Sequence, residues 1–302
     1  MADTVATALA GGASLGKVPG GAALALLVRT KATLAKASEV LDGAGVPWVV
    51  LKGPQLACTV YPSPVDRDWV DLDLLVPPAR FAAATAALAG AGFAPLPGEP
   101  GRAATEARFY HAALEGPHGL PVELHRDLCS QKRYPVDVDA MLRRAVAFDF
   151  LGLPARGLGA EDLLLHLCLH MAGSHFNVAR KHVTDLARVA ARLPLAWPVF
   201  LEGAAAARCR VGAFYALTAA VRQDGAAVPG AVLAALEPSA RRRRWLDRHL
   251  DPAAFPVSRL AAGGAWAARW KLGFALMDRV RDWPGVALRY LGVRGMDVVK
   301  RL

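Results

Sequence analysis

Apolar and polar positions repeat with two different periods along this chain, and the change of period divides it. Residues 21–44 are rich in Ala, Leu and Lys, with apolar positions at helical spacing and a stop at Gly43 and Gly45, which predicts a helix. Pro47-Trp48-Val49-Val50-Leu51 reads as a short buried strand closed by Lys52-Gly53-Pro54. A second strand runs from about Trp69 to Val76 and halts at Pro77-Pro78, followed by a helix over Phe81 to Ala89 that ends near Gly90 and Gly92. Two more strands, Arg108–Glu115 and Leu120–His125, flank Gly116-Pro117-His118-Gly119, which is a hairpin signal. From Ala160 onward strand patterns cease, and Ala- and Leu-rich segments of helical period continue almost to the end.

Gly152, Pro154, Gly157 and Gly159 place the boundary between these regimes near 151–159. The expected organisation is a flexible N-terminal segment over 1–20, an α/β (α+β) core over 21–155 with a small mixed sheet flanked by helices, and a helical domain over 156–302. A length of 302 residues suits two domains.

Composition narrows the class without choosing a function. The chain is 54% hydrophobic and 21% charged, as expected of a folded protein. No apolar run approaches the roughly 20 residues needed to span a bilayer, and the N-terminus lacks the layout of a secretory signal. A cytoplasmic protein without a membrane partner is therefore expected. Cys58, Cys129, Cys168 and Cys209 are widely spaced, which argues against a disulfide framework or a cysteine zinc site. The net charge of +10 favours anionic partners such as nucleotides, phosphorylated substrates or nucleic acid. The run Arg241-Arg242-Arg243-Arg244, followed by Trp245-Leu246, reads as a solvated helix face more readily than as an RNA-binding patch.

The informative feature is Val70-Asp71-Leu72-Asp73-Leu74-Leu75-Val76, two carboxylates inside an apolar run. Residues two apart on a strand face the same way, so Asp71 and Asp73 project together. Adjacent carboxylates repel, and a divalent cation such as Mg²⁺ would compensate them. Glu123, on the hairpin's second strand, alternates out with His125 and offers a third ligand. Three carboxylates on neighbouring strands can hold two metals roughly 3.5–4 Å apart for phosphoryl transfer. The bland reading is an acidic, solvated strand face.

Leu51-Lys52-Gly53, Tyr61-Pro62, Arg67 and Asp71-Leu72-Asp73-Leu74-Leu75-Val76, in that order, resemble the uncharacterised nucleotidyltransferases of the polymerase-beta-like superfamily. Glu123-Leu124-His125 looks like the family's later strand, and Leu165 to His170 with Lys181 and Asp185 resembles its helical half. The resemblance implies a nucleotidyltransferase core in which Asp71, Asp73 and Glu123 are catalytic and bind Mg²⁺ or Mn²⁺. It implies further that Lys52, Gly53, Arg67, His125, His170, Lys181 and Asp185 contact substrate. The expected reaction moves a nucleoside monophosphate from a nucleoside triphosphate to a hydroxyl or phosphate of an acceptor, whether small molecule, peptide or protein, with nucleic acid less favoured. Two departures stand out: Gly53-Pro54 replaces the Gly-Ser or Gly-Gly of better-known members, and Glu123 stands where Asp is commoner. Transfer from a nucleotide sugar and a non-catalytic nucleotide- or RNA-binding module are the alternatives.

Other constellations are weaker. Gly11 to Lys17 nearly completes a phosphate-binding loop, but position 18 is Val. His166 and His170 are four apart and could bind zinc with His175 or Cys168, although a packed histidine is the simpler expectation. Trp266, Trp270, Phe274, Met277 and Trp283 recur at near-helical spacing, which favours packing over base stacking. Lys181 and Asp185 have the spacing of an intrahelical salt bridge.

Overall fold

Short, mostly apolar segments make strands that are buried on both faces, and the centre of the sheet is built from two of them, one of which carries Asp73. Val49–Leu51 (β1) and Leu72–Leu75 (β2) are buried at every position. The computed structural model describes residues 20–96, 110–260 and 266–289, and within these the chain forms two units. The first holds the sheet and ends at Gly159; the second takes Asp127–Val136 and everything from Ala160.

In the first unit, helix α1 (Gly21–Gly43) buries Leu27, Leu34, Ala37 and Leu41. It precedes β1, α2 (Gly53–Thr59), β2, α3 (Phe81–Gly90), β3 (Ala94–Pro95), β4 (His111–Glu115), β5 (Pro121–His125), α4 (Val138–Arg143), β6 (Val146–Phe150) and β7 (Leu153–Gly157). The seven-stranded mixed sheet has the order β3-β4-β5-β2-β1-β7-β6. β2 runs antiparallel to β1 and parallel to β5, while β7 runs parallel to β1. Leu34, Leu41, Val50, Leu72, Leu74, Val122 and Leu124 meet in one apolar cluster. Trp69 donates its indole N–H to the buried Thr30 hydroxyl at 2.9 Å.

The expected helices and the hairpin agree with these bounds to within a few residues. Arg108 and Phe109, expected in the hairpin, lie outside the described residues, as do residues 1–19 with the phosphate-loop lookalike. The hairpin of β6 and β7 is a departure, because 151–159 reads in sequence as a glycine- and proline-rich boundary. Phe150 pairs with Leu153, so Leu151 and Gly152 form a two-residue turn with φ of 55° and 80°. Such turns favour Asn-Gly; here Asp149 accepts from the Gly152 amide at 2.7 Å and Lys31 donates to the Leu151 carbonyl at 2.5 Å. Gly157 is not a linker glycine either. A Cβ there would lie 2.3 Å from the Gln55 side chain, whose amide exchanges two hydrogen bonds with the Leu158 backbone, at 2.7 and 3.1 Å.

The second unit is helical: α5 (Ala160–Gly173), α6 (Lys181–Arg192), α7 (Trp197–Ala206), α8 (Arg210–Asp224), α9 (Gly230–Leu236), α10 (Ala240–Leu246) and α11 (Trp266–Ala275). α5 and α8 are buried almost all round. They approach closely at Gly212, where a Cβ would lie 2.7 Å from that of Ala172. Asp224 joins α8 to α6 by accepting from Thr184 at 2.8 Å and from Arg180 Nη1 at 3.2 Å. Asp278 accepts from the Arg210 and Val211 amides at the start of α8. No helix among the described residues is long and apolar enough to cross a membrane.

Candidate active site

The chain turns sharply as it leaves β1. Lys52 has φ of 49° and ψ of −120°, a conformation rarely adopted by residues other than glycine and commonest where function holds strain. From that turn Lys52 Nζ reaches Asp73 Oδ2 at 3.0 Å. Gly53 follows because space is short: a Cβ there would lie 3.1 Å from Cβ and Cγ of Trp69. The register then sets three strands level, Leu51 against Asp73 and Asp73 against Glu123.

Asp71 precedes β2 by one residue. Asp71, Asp73 and Glu123 each place a carboxylate oxygen within 4.8 Å of the others, as strand alternation predicts. Asp73 is only 3% exposed, so it lies in a buried face and not on a solvated one. Both its oxygens are engaged: Oδ2 by Lys52, and Oδ1 by Nε2 of the buried His125 at 2.9 Å. The same Nε2 lies 3.2 Å from Glu123 Oε2. Across the hairpin, His111 pairs in register with His125 and puts its Nε2 4.0 Å from Glu123 Oε1. The sequence reading missed His111. The hairpin carried the signal, because antiparallel pairing about Gly116 to Leu120 puts 111 opposite 125.

The charges explain the titration of the cluster. Burial, then repulsion from Asp73, pushes the Asp71 carboxyl up to about 6, with Lys52 opposing. Burial would raise Asp73 too, but the Lys52 ammonium and the His125 hydrogen bond hold it well below the usual carboxylate range. Glu123 is lowered mainly by its hydrogen bond from His125. Burial pulls down both Lys52 and His125, yet their carboxylate partners win and raise them. Three carboxylates thus face the Lys52 ammonium and the His125 imidazole, whose charged form they favour. The surplus falls on Asp71, and an all-oxygen acidic set of this kind suits a hard divalent cation.

The other expected site residues are more scattered. Arg67 is buried, 4% exposed, and donates through Nη1 to the Asp68 carbonyl. In the second unit His170 sits on α5 with its ring 4.7 Å from that of His182. Lys181 opens α6, and the fully buried Asp185 has an oxygen 3.9 Å from His182 Nδ1. Among the described residues, groups with three ligand atoms in reach of one ion are Asp71/Asp73/Glu123 and His111/Glu123/His125, so the His166–His170 pair is not among them. Arg241, Arg243 and Arg244 are exposed on α10 while Leu246 is buried, as a solvated helix face requires. Trp270, Phe274 and Trp283 pack ring on ring at 5.0 and 5.5 Å. All four cysteines are free, and burial pushes Cys58 and Cys129 up to about 12.

No curated protein matches the chain. Two solved chains do, one of them the antibiotic-resistance factor ANT(2'')-Ia, 14% identical over 54% of this chain and 84% of that one, with a TM-score of 0.38. A likeness that distant bears on neither substrate nor residue roles. The model of an uncharacterised nucleotidyltransferase family matches residues 27–223, a span containing the whole sheet and every member of the carboxylate cluster, and the chain belongs to that family of transferases.

Proposed function

We propose that this nucleotidyltransferase uses a nucleoside triphosphate as donor and that Asp71, Asp73 and Glu123 hold Mg²⁺ or Mn²⁺. The convergence of these three carboxylates on one sheet end, with an unbalanced negative charge at Asp71, is the observation that supports the reading. When bound, the ion neutralises phosphate oxygens and the charge developing on the transferring phosphoryl group. An acceptor oxygen forms a bond to the α-phosphorus, the bond from that phosphorus to the bridging oxygen breaks, and pyrophosphate leaves. Glu123 polarises the acceptor O–H, whose proton passes through it to solvent. Lys52, fixed by its turn, holds Asp73 in place and sets a positive charge beside the phosphates. Such fixed charges need no reorganisation as the reaction proceeds, and they account for much of the rate enhancement in sites of this type.

Arg67 and His125 serve the reading differently: Arg67 as a buried charge four residues before Asp71, His125 as the group that aims Asp73 and Glu123. His170, Lys181 and Asp185 are assigned to substrate use by the family resemblance. The test is product analysis by mass spectrometry after incubation with mixed nucleoside triphosphates, Mg²⁺ or Mn²⁺, and candidate acceptors. Pyrophosphate release with a nucleotidylated product is expected. Release of a nucleoside diphosphate from a nucleotide sugar instead would overturn the assignment of the donor.

A further inference from the structure

The sheet end carries a second set of donors beside the carboxylates, and its chemistry is different. His111 and His125 stand opposite each other on β4 and β5 with ring centroids 5.3 Å apart. Both turn Nε2 toward Glu123, at 4.0 Å from Oε1 and 3.2 Å from Oε2. Asp73 Oδ1 adjoins at 2.9 Å from His125 Nε2. Neither Nδ1 has a hydrogen-bond partner among the described residues, and Nε2 is the atom each ring turns toward the carboxylates. A tetrahedral zinc site with ligand distances of about 2.0–2.1 Å has donor-to-donor edges of roughly 3.3 Å. The observed separations of 2.9, 3.2 and 4.0 Å bracket that edge. Two imidazoles and one or two carboxylates form a borderline set that prefers zinc-like ions over Mg²⁺, which selects oxygen.

We propose that His111, Glu123 and His125, with Asp73 adjoining, form a binding site for a transition ion of the Zn²⁺ class, distinct from the Asp71 side of the cluster and sharing Glu123 with it. Ligation at Nε2 needs that nitrogen deprotonated, and any proton it holds goes to solvent. Because Glu123 belongs to both sets and Asp73 adjoins both, the two sites compete for these carboxylates. The hairpin strands fix the two histidines, so the site needs no rearrangement of the backbone.

The test uses the full chain stripped of metal with a chelator and dialysed against Zn²⁺ in the presence of excess Mg²⁺. Wild type is expected to retain one Zn²⁺ per chain. His111→Gln is expected to weaken that binding at least tenfold, and Asp71→Asn to leave it within about twofold, each variant checked for native melting. Failure of wild type to retain Zn²⁺, unchanged binding in His111→Gln, or an equal loss in Asp71→Asn would each overturn the proposal. The last outcome would place the ion among the carboxylates alone. X-ray absorption of Zn²⁺-loaded wild type decides the matter without a variant: two imidazole ligands are expected, and an oxygen-only shell refutes the site. None of these readouts needs a nucleotide, so they stand or fall apart from the transfer reaction.

Discussion

Two histidines, one in each unit, are pressed in opposite directions by their neighbours. His125 stands between Asp73 and Glu123, and those carboxylates raise its pKa against the pull of burial. His175, which closes the turn after α5, lies 3.4 Å from Arg133. There burial, then Arg133 and Arg269, lowers it to about 4. The first is a bridge whose acidic neighbours favour its charged form; the second is a ring among cations that disfavour charge. The difference separates a place built to concentrate charge from one built to tolerate it, and concentrated charge is where chemistry becomes possible.

The largest expected effect breaks the acidic side of this contrast. Asp73→Asn leaves Lys52 and His125 without their buried counter-charge, so the fold is expected to lose about 3 kcal/mol. Turnover is expected to fall by at least about a thousandfold, the range typical of losing a fixed charge at a reacting phosphate. Thermal denaturation in metal-free buffer and initial rates give the two numbers. If melting is unchanged, the ion pair of Asp73 with Lys52 is not holding the sheet end together.

His175 sharpens the other side. Its folded pKa is depressed, so its contribution to stability is complete above about 6.5 and is lost as pH falls toward about 4, where the unfolded chain takes up the proton more readily. The loss reaches roughly 3 kcal/mol over that window, less whatever solvent screening removes. His175→Asn keeps a residue tolerant of its positive φ of 55° and removes the titration. Denaturant unfolding curves should therefore show wild type losing stability relative to the variant as pH falls. Curves that stay parallel from pH 6.5 to 4 would show that the arginines exert no such pressure.

Asp71 gives the opposite slope in an overlapping window. Its folded pKa is raised to about 6 from 3.8, so the folded state binds the extra proton and stability falls as pH rises between those values. The cost of ionising Asp71 is roughly 1–3 kcal/mol after allowance for its partial exposure. In metal-free buffer at neutral pH, Asp71→Asn is expected to melt at or above wild type while losing activity. A lower melting temperature would mean that Asp71 makes a stabilising contact that its surplus charge conceals.

The carboxylate side of this contrast is legible in the sequence, and the reasons are specific. Alternation on Asp71-Leu72-Asp73 and Val122-Glu123-Leu124 is enough to bring three carboxylates together, because strand geometry fixes which side chains share a face. The sequence cannot say that Asp73 is buried and doubly paired, since that depends on Lys52 adopting a positive φ that no local residue announces. The hairpin of β6 and β7 was hidden by its own composition. Leu151 occupies a turn position where Asn is usual, β6 is largely exposed, and Gly157 is present for the approach of Gln55 and not for flexibility. His111 was overlooked because an isolated histidine on a strand has no meaning until its cross-strand partner is known.

The smallest expected effect asks whether the second unit shares in substrate use. Lys181 opens α6, and Asp185, one helical turn on, is fully buried while Lys181 is only half-buried. If Lys181 serves a phosphate or carboxylate of the substrate, Lys181→Ala raises KM about tenfold, or about 1.4 kcal/mol, with kcat and melting temperature close to wild type. If it serves Asp185 through an i,i+4 ion pair, the loss appears in stability, a few tenths of a kcal/mol for an exposed pair and more with a buried carboxylate. Lys181→Arg separates the two further, because a retained charge with changed shape preserves an ion pair better than a fitted substrate contact. A melting temperature lowered in Lys181→Ala and restored in Lys181→Arg, with kinetics unchanged in both, would remove Lys181 from the substrate site.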